Sequence, residues 1–173
     1  MMQEMLRELS GVFASLKAGA VDSAVSAIHS HCRIFVYAAG RSGLMLKAFA
    51  MRLAQMGMTV YVVGETVTPA IGQGDLLILA SASGSTHSTC HYARIAKDAG
   101  ADVFVITGKE ASPLAEIAQA DVILPAASKN DAGNSRQVMG SLFEQALLLF
   151  CDGVVANCPM DAADMRARHA NLE

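Results

Sequence analysis

Two short polar segments, each placed directly after an apolar run, constrain the fold of this chain most strongly. The first, AAGRSG, spans 38–43 and follows the run 33–37, and the second, SASGST, spans 81–86 and follows the run 75–79. Both runs are typical of buried parallel strands, and each polar segment is followed by residues with helical periodicity. The sequence therefore predicts two strand–loop–helix units whose glycines and hydroxyls lie at helix N-termini, where backbone N–H groups bind anions.

Ordinary helix capping is the alternative role for these glycines and hydroxyls, and for a single loop it is the favoured one. Two such loops on neighbouring strands favour a shared phosphate site, because ligands of open parallel sheets bind beyond the carboxyl ends of the strands. Residues 40–43 form only GxxG, and the chain contains neither GxGxxG nor GxxxxGK[ST]. These absences argue against a dinucleotide and against ATP.

Hydrophobic periodicity predicts an α/β fold with a doubly wound parallel sheet of five strands. The chain divides into N-terminal helices (1–30), an α/β core (31–125) and C-terminal helices (138–173), joined by a polar connection at 125–133. The predicted strands are 33–38, 59–63, 76–80, 102–107 and 121–124, and the predicted helices are 5–16, 22–29, 44–56, 87–99, 113–119, 139–156 and 161–171.

Length and composition indicate one domain that assembles with other copies. A chain of 173 residues is long enough to bury its own core. A hydrophobic fraction of 53% with only 17% charged residues exceeds what a small monomer needs, which predicts apolar surface buried between subunits. A net charge of −3 with no Lys/Arg stripe argues against a nucleic-acid partner.

Cysteine usage and hydropathy predict a cytoplasmic protein without a membrane anchor. The four cysteines show neither CxxC nor a zinc-ligand spacing, which favours reduced thiols. The N-terminus carries Glu4, Arg7 and Glu8 within the stretch where a signal peptide would be apolar. The apolar stretch 138–158 is interrupted by Glu144, Gln145, Asp152 and Asn157, and we expect it to be too polar to span a membrane.

His87 and His91 share one helix face, but they are a weak indication of metal binding. Ser88 stands where an HExxH motif needs a glutamate, and no third ligand is evident, so surface histidines are the favoured interpretation. Lys109 follows a strand end and is expected to be solvated rather than part of the site.

Family motifs occur along nearly the whole chain. GETVTP at 64–69 and RHANLE at 168–173 are the most specific, whereas GRSG at 40–43 is more general. Through these motifs the chain resembles the sugar isomerase (SIS) domain family and, within it, the 6-phospho-3-hexuloisomerases. The resemblance rests on segments 39–57, 60–71, 105–118, 139–150 and 165–173.

The resemblance implies a five-stranded parallel sheet, a homotetramer with sites at subunit interfaces, and no metal or organic cofactor. It also implies interconversion of D-arabino-3-hexulose 6-phosphate and fructose 6-phosphate in the ribulose monophosphate pathway of formaldehyde fixation. Two alternatives stay open: a non-catalytic SIS module that senses a sugar phosphate, and an aldose–ketose isomerase of the arabinose 5-phosphate type. A sensor needs the two loops but no acid–base residues.

The second loop departs from the family pattern SGSGET at two positions. Ala82 replaces the first glycine and is expected to place a methyl group where the backbone needs a positive φ. Ser85 replaces the glutamate and removes a carboxylate from the anion site. The remaining hydroxyls predict that phosphate binding survives. The predicted substrate-binding residues are Arg41, Ser42, Ser81, Ala82, Ser83, Gly84, Ser85 and Thr86.

The implied reaction needs a base that removes the proton from the carbinol carbon beside the ketone and returns it to the neighbouring carbon through an enediol or enediolate. Glu144 is the candidate, because apolar residues flank it in a helical stretch and desolvation is expected to raise its pKa. It also aligns with the glutamate that the family uses as proton acceptor. The alternative is that Glu144 caps a buried helix or lies on its wet face.

His169 is the second catalytic candidate, because a neutral imidazole suits ring opening or proton transfer between hydroxyls. The resemblance implies that the last helix carries it into the site of a neighbouring subunit, whereas a histidine so near a terminus is ordinarily solvated. Arg41 is a candidate for holding the phosphate or stabilising the enediolate, with surface ion pairing as the alternative.

Overall fold

A computed structural model describes residues 1–129, 131 and 135–172. Gly133, at the end of the predicted polar connection, and Glu173, the last residue of the terminal motif, lie outside the described residues.

The sheet has five parallel strands in the order β2-β1-β3-β4-β5, so the predicted doubly wound sheet is confirmed. The chain passes from β1 to one neighbour and then back across to the other, which makes the β1/β3 boundary the point where the winding reverses. The strands are β1 (Arg33–Ala38), β2 (Thr59–Val62), β3 (Asp75–Ser81), β4 (Asp102–Thr107) and β5 (Ala120–Ile123).

Helices cover both faces of the sheet. Ile34 and Val36 of β1 belong to the core formed with α1, α2, α3 and α6, whereas Phe35 packs in the core formed with α4 and α5. Strand side chains alternate between faces, so central strands must be apolar throughout. The helices are α1 (Met2–Ala14), α2 (Ala20–His29), α3 (Gly40–Gln55), α4 (His87–Asp98), α5 (Pro113–Ile117), α6 (Ser141–Asn157) and α7 (Ala162–Ala167).

Two helix boundaries differ from the sequence prediction by four residues, and the others differ by less. Helix α3 begins at Gly40 rather than at residue 44, because the polar GRSG motif forms its first turn before the apolar periodicity starts. Helix α7 ends at Ala167 rather than at residue 171 and has no buried residue. A short helix without an apolar face to pack has little to extend it.

The apolar stretch before residue 158 forms the core helix of the fold. Within the described residues one helix, Val138–Asn157, is long and apolar enough by length and composition to cross a membrane. The prediction that its polar residues exclude this was therefore wrong. Half of the most apolar window is buried inside the protein, and α6 packs against α1, α2 and α3, which accounts for its composition.

A buried ion pair ties the first residues of β1 and β3 together. Arg33 Nε donates to Asp75 Oδ1 at 2.8 Å, and Arg33 Nη2 donates to Oδ2 at 2.6 Å. The Gly72 N–H also donates to Oδ2, at 2.7 Å. The hydrogen bonding of Arg33 is the main cause that lowers the pKa of Asp75, whose side chain is only 3% exposed.

We expect Arg33→Ala to lower the free energy of unfolding by about 3 kcal/mol at pH 7, because it leaves a buried carboxylate without its cation. The pKa of Asp75 is lowered in the folded protein, so the stabilisation is present above the ordinary aspartate pKa and is lost as the pH falls through the lowered value. Urea unfolding followed by circular dichroism at pH 7 and at acidic pH measures both effects. Lys47→Ala, which breaks an exposed ion pair with Glu65, is the control; equal losses for the two variants would contradict the prediction.

Candidate active site

A cleft of about 410 Å³ opens at the carboxyl ends of β1 and β3. This β1–β3 cleft lies where the winding of the sheet reverses, which is where open α/β sheets bind ligands. Its volume suits a small metabolite. The lining residues are Ala39, Gly40, Arg41, Ser42, Ala80, Ser81, Ala82, Ser83, Thr86, Ser128, Lys129, Met139, Gly140 and Glu144.

The first loop turns sharply from β1 into α3. A Cβ on Gly43 would overlap the carbonyl oxygen of Ala38, so the strand end and the first helical turn approach each other more closely than any other residue allows. Arg41 and Ser42 lie in this first turn and line the cleft. The close approach therefore brings a helix N-terminus directly onto the cleft.

The second loop is held in shape by hydrogen bonds among its own residues. Ser81 Oγ and Thr86 Oγ1 are 3.1 Å apart, and the Gly84 N–H donates to Ser81 Oγ at 3.1 Å. Ser85 donates to Ser83 Oγ through its hydroxyl at 3.0 Å and through its N–H at 3.3 Å. The loop is thus pre-organised before any ligand binds.

Helix capping does not account for the hydroxyls of these loops. Among the described residues no side chain caps α3 or α4, whose N-cap residues are Ala39 and Thr86. The same chain caps α5 with Ser112 and α7 with Asp161. The first-turn N–H groups of α3 and α4 therefore lack side-chain acceptors, and a bound anion can satisfy them.

Gly84 and Ser85 support the second loop but do not line the cleft. Gly84 has a φ of 62°, and a Cβ there would overlap the Ser112 side chain at the start of α5. Its carbonyl accepts the Leu114 N–H at 2.8 Å. These contacts fix the loop to α5, whereas the other six predicted substrate-binding residues reach the cleft.

The expected strain at Ala82 is absent. Among the described residues Met139 is the one non-glycine residue with a positive φ, so Ala82 adopts a backbone conformation that suits an alanine. The positive φ of this loop lies at Gly84 instead. The replacement of the family glycine by Ala82 therefore leaves the loop conformation intact.

Glu144 lies in the first turn of α6 and reaches the cleft wall beside the first loop. Its side chain is 11% exposed, and Arg41 Nε lies 2.6 Å from Glu144 Oε2. This contact is an ion pair that lacks hydrogen-bond geometry. Glu144 Oε2 is buried and has no hydrogen-bond partner among the described residues. The site thus places a cation beside a carboxylate oxygen that has an open hydrogen-bonding position among the described residues.

His169 does not lie near Glu144 within one chain. It follows Arg168, whose guanidinium lies beside Gly57 at the far end of α3 from Arg41. Helix α3 has 16 residues, which at 1.5 Å per residue places His169 on the order of 20 Å from the cleft. The single chain therefore brings together Glu144 and the two loops but not the second catalytic candidate.

Sequence reasoning missed one wall of the cleft. Ser128 and Lys129 come from the connection after β5, and Met139 and Gly140 from a single 3₁₀ turn at Val138–Gly140. The one available signal was a glycine directly before an apolar helix, which is also an ordinary helix boundary.

The two histidines of α4 stack at its N-terminal end. The rings of His87 and His91 are parallel, with centroids 6.4 Å apart. Among the described residues no group of three His, Cys, Asp or Glu side chains could hold a metal ion. Two hydrogen bonds from Ser128 and, to a smaller extent, the pairing with Lys109 at 3.1 Å lower the pKa of Asp131 to about 2.

We expect Gly43→Ala to weaken the binding of fructose 6-phosphate at least about tenfold, because the methyl group must push α3 away from the Ala38 carbonyl. Isothermal titration calorimetry measures this affinity. Gly153→Ala is the matched control, since a Cβ there meets nothing within 4 Å in the middle of α6. An unchanged affinity for Gly43→Ala would remove the first loop from the ligand site.

Comparisons with known proteins agree with this geometry. The sequence profile of the SIS domain family matches residues 27–149. A 3-hexulose-6-phosphate isomerase of Mycobacterium gastri is 49% identical over 147 residues, which cover 82% of this chain and 74% of the relative. A protein of the same name from Bacillus subtilis is 40% identical, covering 98% of this chain and 96% of the relative.

A solved structure extends the agreement to the fold. It belongs to a hypothetical protein of Methanococcus jannaschii for which the molecular function of a 3-hexulose-6-phosphate isomerase was inferred. The two structures superpose with a TM-score of 0.83 at 30% identity, over 99% of this chain and 98% of the other. The paired loops, the sheet order and the family match together show that this chain belongs to the SIS domain family.

Proposed function

We propose that this protein is an isomerase that interconverts D-arabino-3-hexulose 6-phosphate and fructose 6-phosphate. The observation that carries the proposal is a buried carboxylate, Glu144, at the wall of the β1–β3 cleft. The chain is also similar over most of its length to proteins named 3-hexulose-6-phosphate isomerase. A sensing module needs the cleft but has no use for such a carboxylate.

The two loops bind the phosphate of the sugar. The first-turn residues of α3 line the cleft, and so do the hydroxyl-bearing residues Ser42, Ser83 and Thr86, the last of which is the N-cap residue of α4. Neutral donors at helix N-termini bind a phosphate dianion without a cluster of lysines. This arrangement fits a chain whose net charge is −3.

Glu144 acts as the general base. Its carboxylate takes the proton from the carbinol carbon beside the ketone, and the resulting enediolate carries the negative charge on oxygen. The same carboxyl group then returns the proton to the neighbouring carbon, so the ketone moves by one position and no atom is gained or lost. Arg41, 2.6 Å from Glu144 and 63% exposed, is free to swing towards the enediolate and stabilise its charge.

His169 completes the site from a second copy of the chain. Within one chain it lies at the opposite end of α3 from the cleft, whereas an isologous pair of subunits exchanges equivalent segments between sites. A neutral imidazole there carries the proton between the two substrate hydroxyls as the ketone moves.

Assembly as a homotetramer in the cytoplasm fits the surface of the chain. Large apolar side chains are exposed on α1, α3 and α6, and such a surface favours burial between subunits. The four cysteines are free, in keeping with a reducing compartment. The exposed apolar residues on α1, α3 and α6 are Met2, Leu6, Leu44, Met51 and Leu149.

We place the reaction in the ribulose monophosphate pathway of formaldehyde fixation.

Proton NMR in D₂O with fructose 6-phosphate tests the reaction directly. We expect the 3-hexulose 6-phosphate to form and deuterium to enter C3 of the recovered fructose 6-phosphate, because an enediolate exchanges its proton with solvent. Glu144→Gln should lower kcat at least about a hundredfold with little change in sugar-phosphate affinity. Binding without turnover in the natural protein would favour a sensor, or an isomerase of the arabinose 5-phosphate type acting on another sugar phosphate.

Mixed assemblies of Glu144→Gln and His169→Ala test where His169 acts. Each variant alone should be nearly inactive. In an isologous pair with one of each, one site contains both natural residues and the other contains neither, so activity should return to roughly half of the sites. The two chains, co-expressed with different affinity tags and purified through both, are assayed for isomerisation. No recovery in the mixed assembly would contradict the proposed sharing of sites.

A further inference from the structure

A carboxylate from the first helix holds the segment that leads into α6. Glu8 Oε2 accepts the Ser135 hydroxyl at 2.8 Å and the Gln137 side-chain amide at 3.1 Å. Glu8 Oε1 accepts the Arg136 N–H at 2.8 Å. These three hydrogen bonds, here called the Glu8 clamp, join residues more than 120 positions apart in the chain.

The clamped segment runs directly into the cleft wall. Residues 135–137 are followed by the 3₁₀ turn at Val138–Gly140, and α6 begins at Ser141. Glu144, in the first turn of α6, is therefore seven residues beyond Gln137. Any shift of the clamped segment moves the helix start that carries the proposed base.

The turn between the clamp and the base holds a strained backbone. Met139 has φ 59° and ψ 24°, in the left-handed region, although its side chain is 73% exposed and gains little from burial. A non-glycine residue rarely adopts this conformation, which persists only where its surroundings hold it. The next residue, Gly140, lies against Lys129, whose backbone nitrogen would be 3.4 Å from a Cβ on Gly140.

We propose that Glu8 is a positioning residue for Glu144: its clamp holds the strained turn before α6 and thereby sets the place of the general base in the cleft. The inference rests on the proposed function for its effect on catalysis. Gly140, at one end of the turn, lies close to the Lys129 backbone, and the Glu8 clamp holds the other end.

Attachment of α1 to the fold does not depend on the clamp. Leu9 and Val12 of α1 are buried in the same core as the apolar face of α6. Removal of the Glu8 carboxylate therefore leaves the helix docked and frees only the segment 135–140. The expected consequence is a displaced base in a folded protein rather than an unfolded chain.

The test compares kcat and KM for fructose 6-phosphate in Glu8→Ala and in Glu4→Ala. Glu4 lies one turn earlier on α1 and, among the residues that the structure describes, pairs with the N-terminal amino group, so its variant makes the same change of charge without touching the clamp. We expect Glu8→Ala to lower kcat at least about tenfold and to change KM less than about threefold, since a displacement of about 1 Å impairs chemistry more than binding. A kcat equal to that of Glu4→Ala would overturn the proposal.

Gln137→Ala keeps the test decisive if Glu8→Ala folds poorly. It removes one donor of the clamp and should lower kcat less than Glu8→Ala does. The double variant should be no slower than Glu8→Ala, because both changes break one contact. Losses that multiply would overturn the proposal.

Hydrogen exchange separates this inference from the proposed function. In Glu8→Ala the amides of 136 and of the first turn of α6 should exchange faster, while those of β3 stay protected. Unchanged exchange at these positions would overturn the clamp whatever the enzyme activity. If the natural protein and Glu4→Ala both lack isomerase activity, that result would instead count against the proposed function.

Discussion

The parallel pairing of β1 with β3 is the constraint on which the site depends. Their ladder runs from Arg33↔Asp75 at one end to Ala38↔Ala80 at the other, so both strands finish at the same level of the sheet. Each strand then continues into a polar loop and a helix, and the two helix N-termini come to lie side by side. A shift of this register would separate the loops, and neither loop alone makes a cleft that can surround a phosphate.

The proposed binding loops are formed by residues close together in the chain, whereas the proposed base comes from a distant part of it. Helix α6 packs across α3 and brings Glu144 to within 2.6 Å of Arg41, a residue of the first loop. The apolar face of α6 thus has two effects: it fills the core on one side of the sheet and it desolvates a carboxylate at the helix start. Packing that stabilises the fold also places the proposed base.

Patterns with a regular period predicted the fold, and the irregular connections escaped prediction. All five strands and the two loops follow from apolar runs and polar breaks, and Glu144 is conspicuous as an acid in an apolar helix. Ser128 and Lys129 were not predicted as cleft residues, because the connection after β5 has no periodicity and is shaped by contacts with distant residues. Periodicity did not place His169 either, since its position depends on how far α6 carries the chain away from the cleft. Its place in a neighbouring subunit's site was implied by the family resemblance and stays a prediction.

The proposed sharing of sites would make the exposed apolar faces of the helices part of what catalysis requires. The two proposed acid–base residues lie at opposite ends of the paired helices α3 and α6, a separation that no side-chain rotation can close. The faces that carry Leu44, Met51 and Leu149 belong to the same two helices. In the proposed assembly an interface would bury these faces between copies and would carry one chain's His169 to the other chain's cleft. On this argument the proposed assembly and the proposed sharing of sites have one physical origin, the length of the two packed helices.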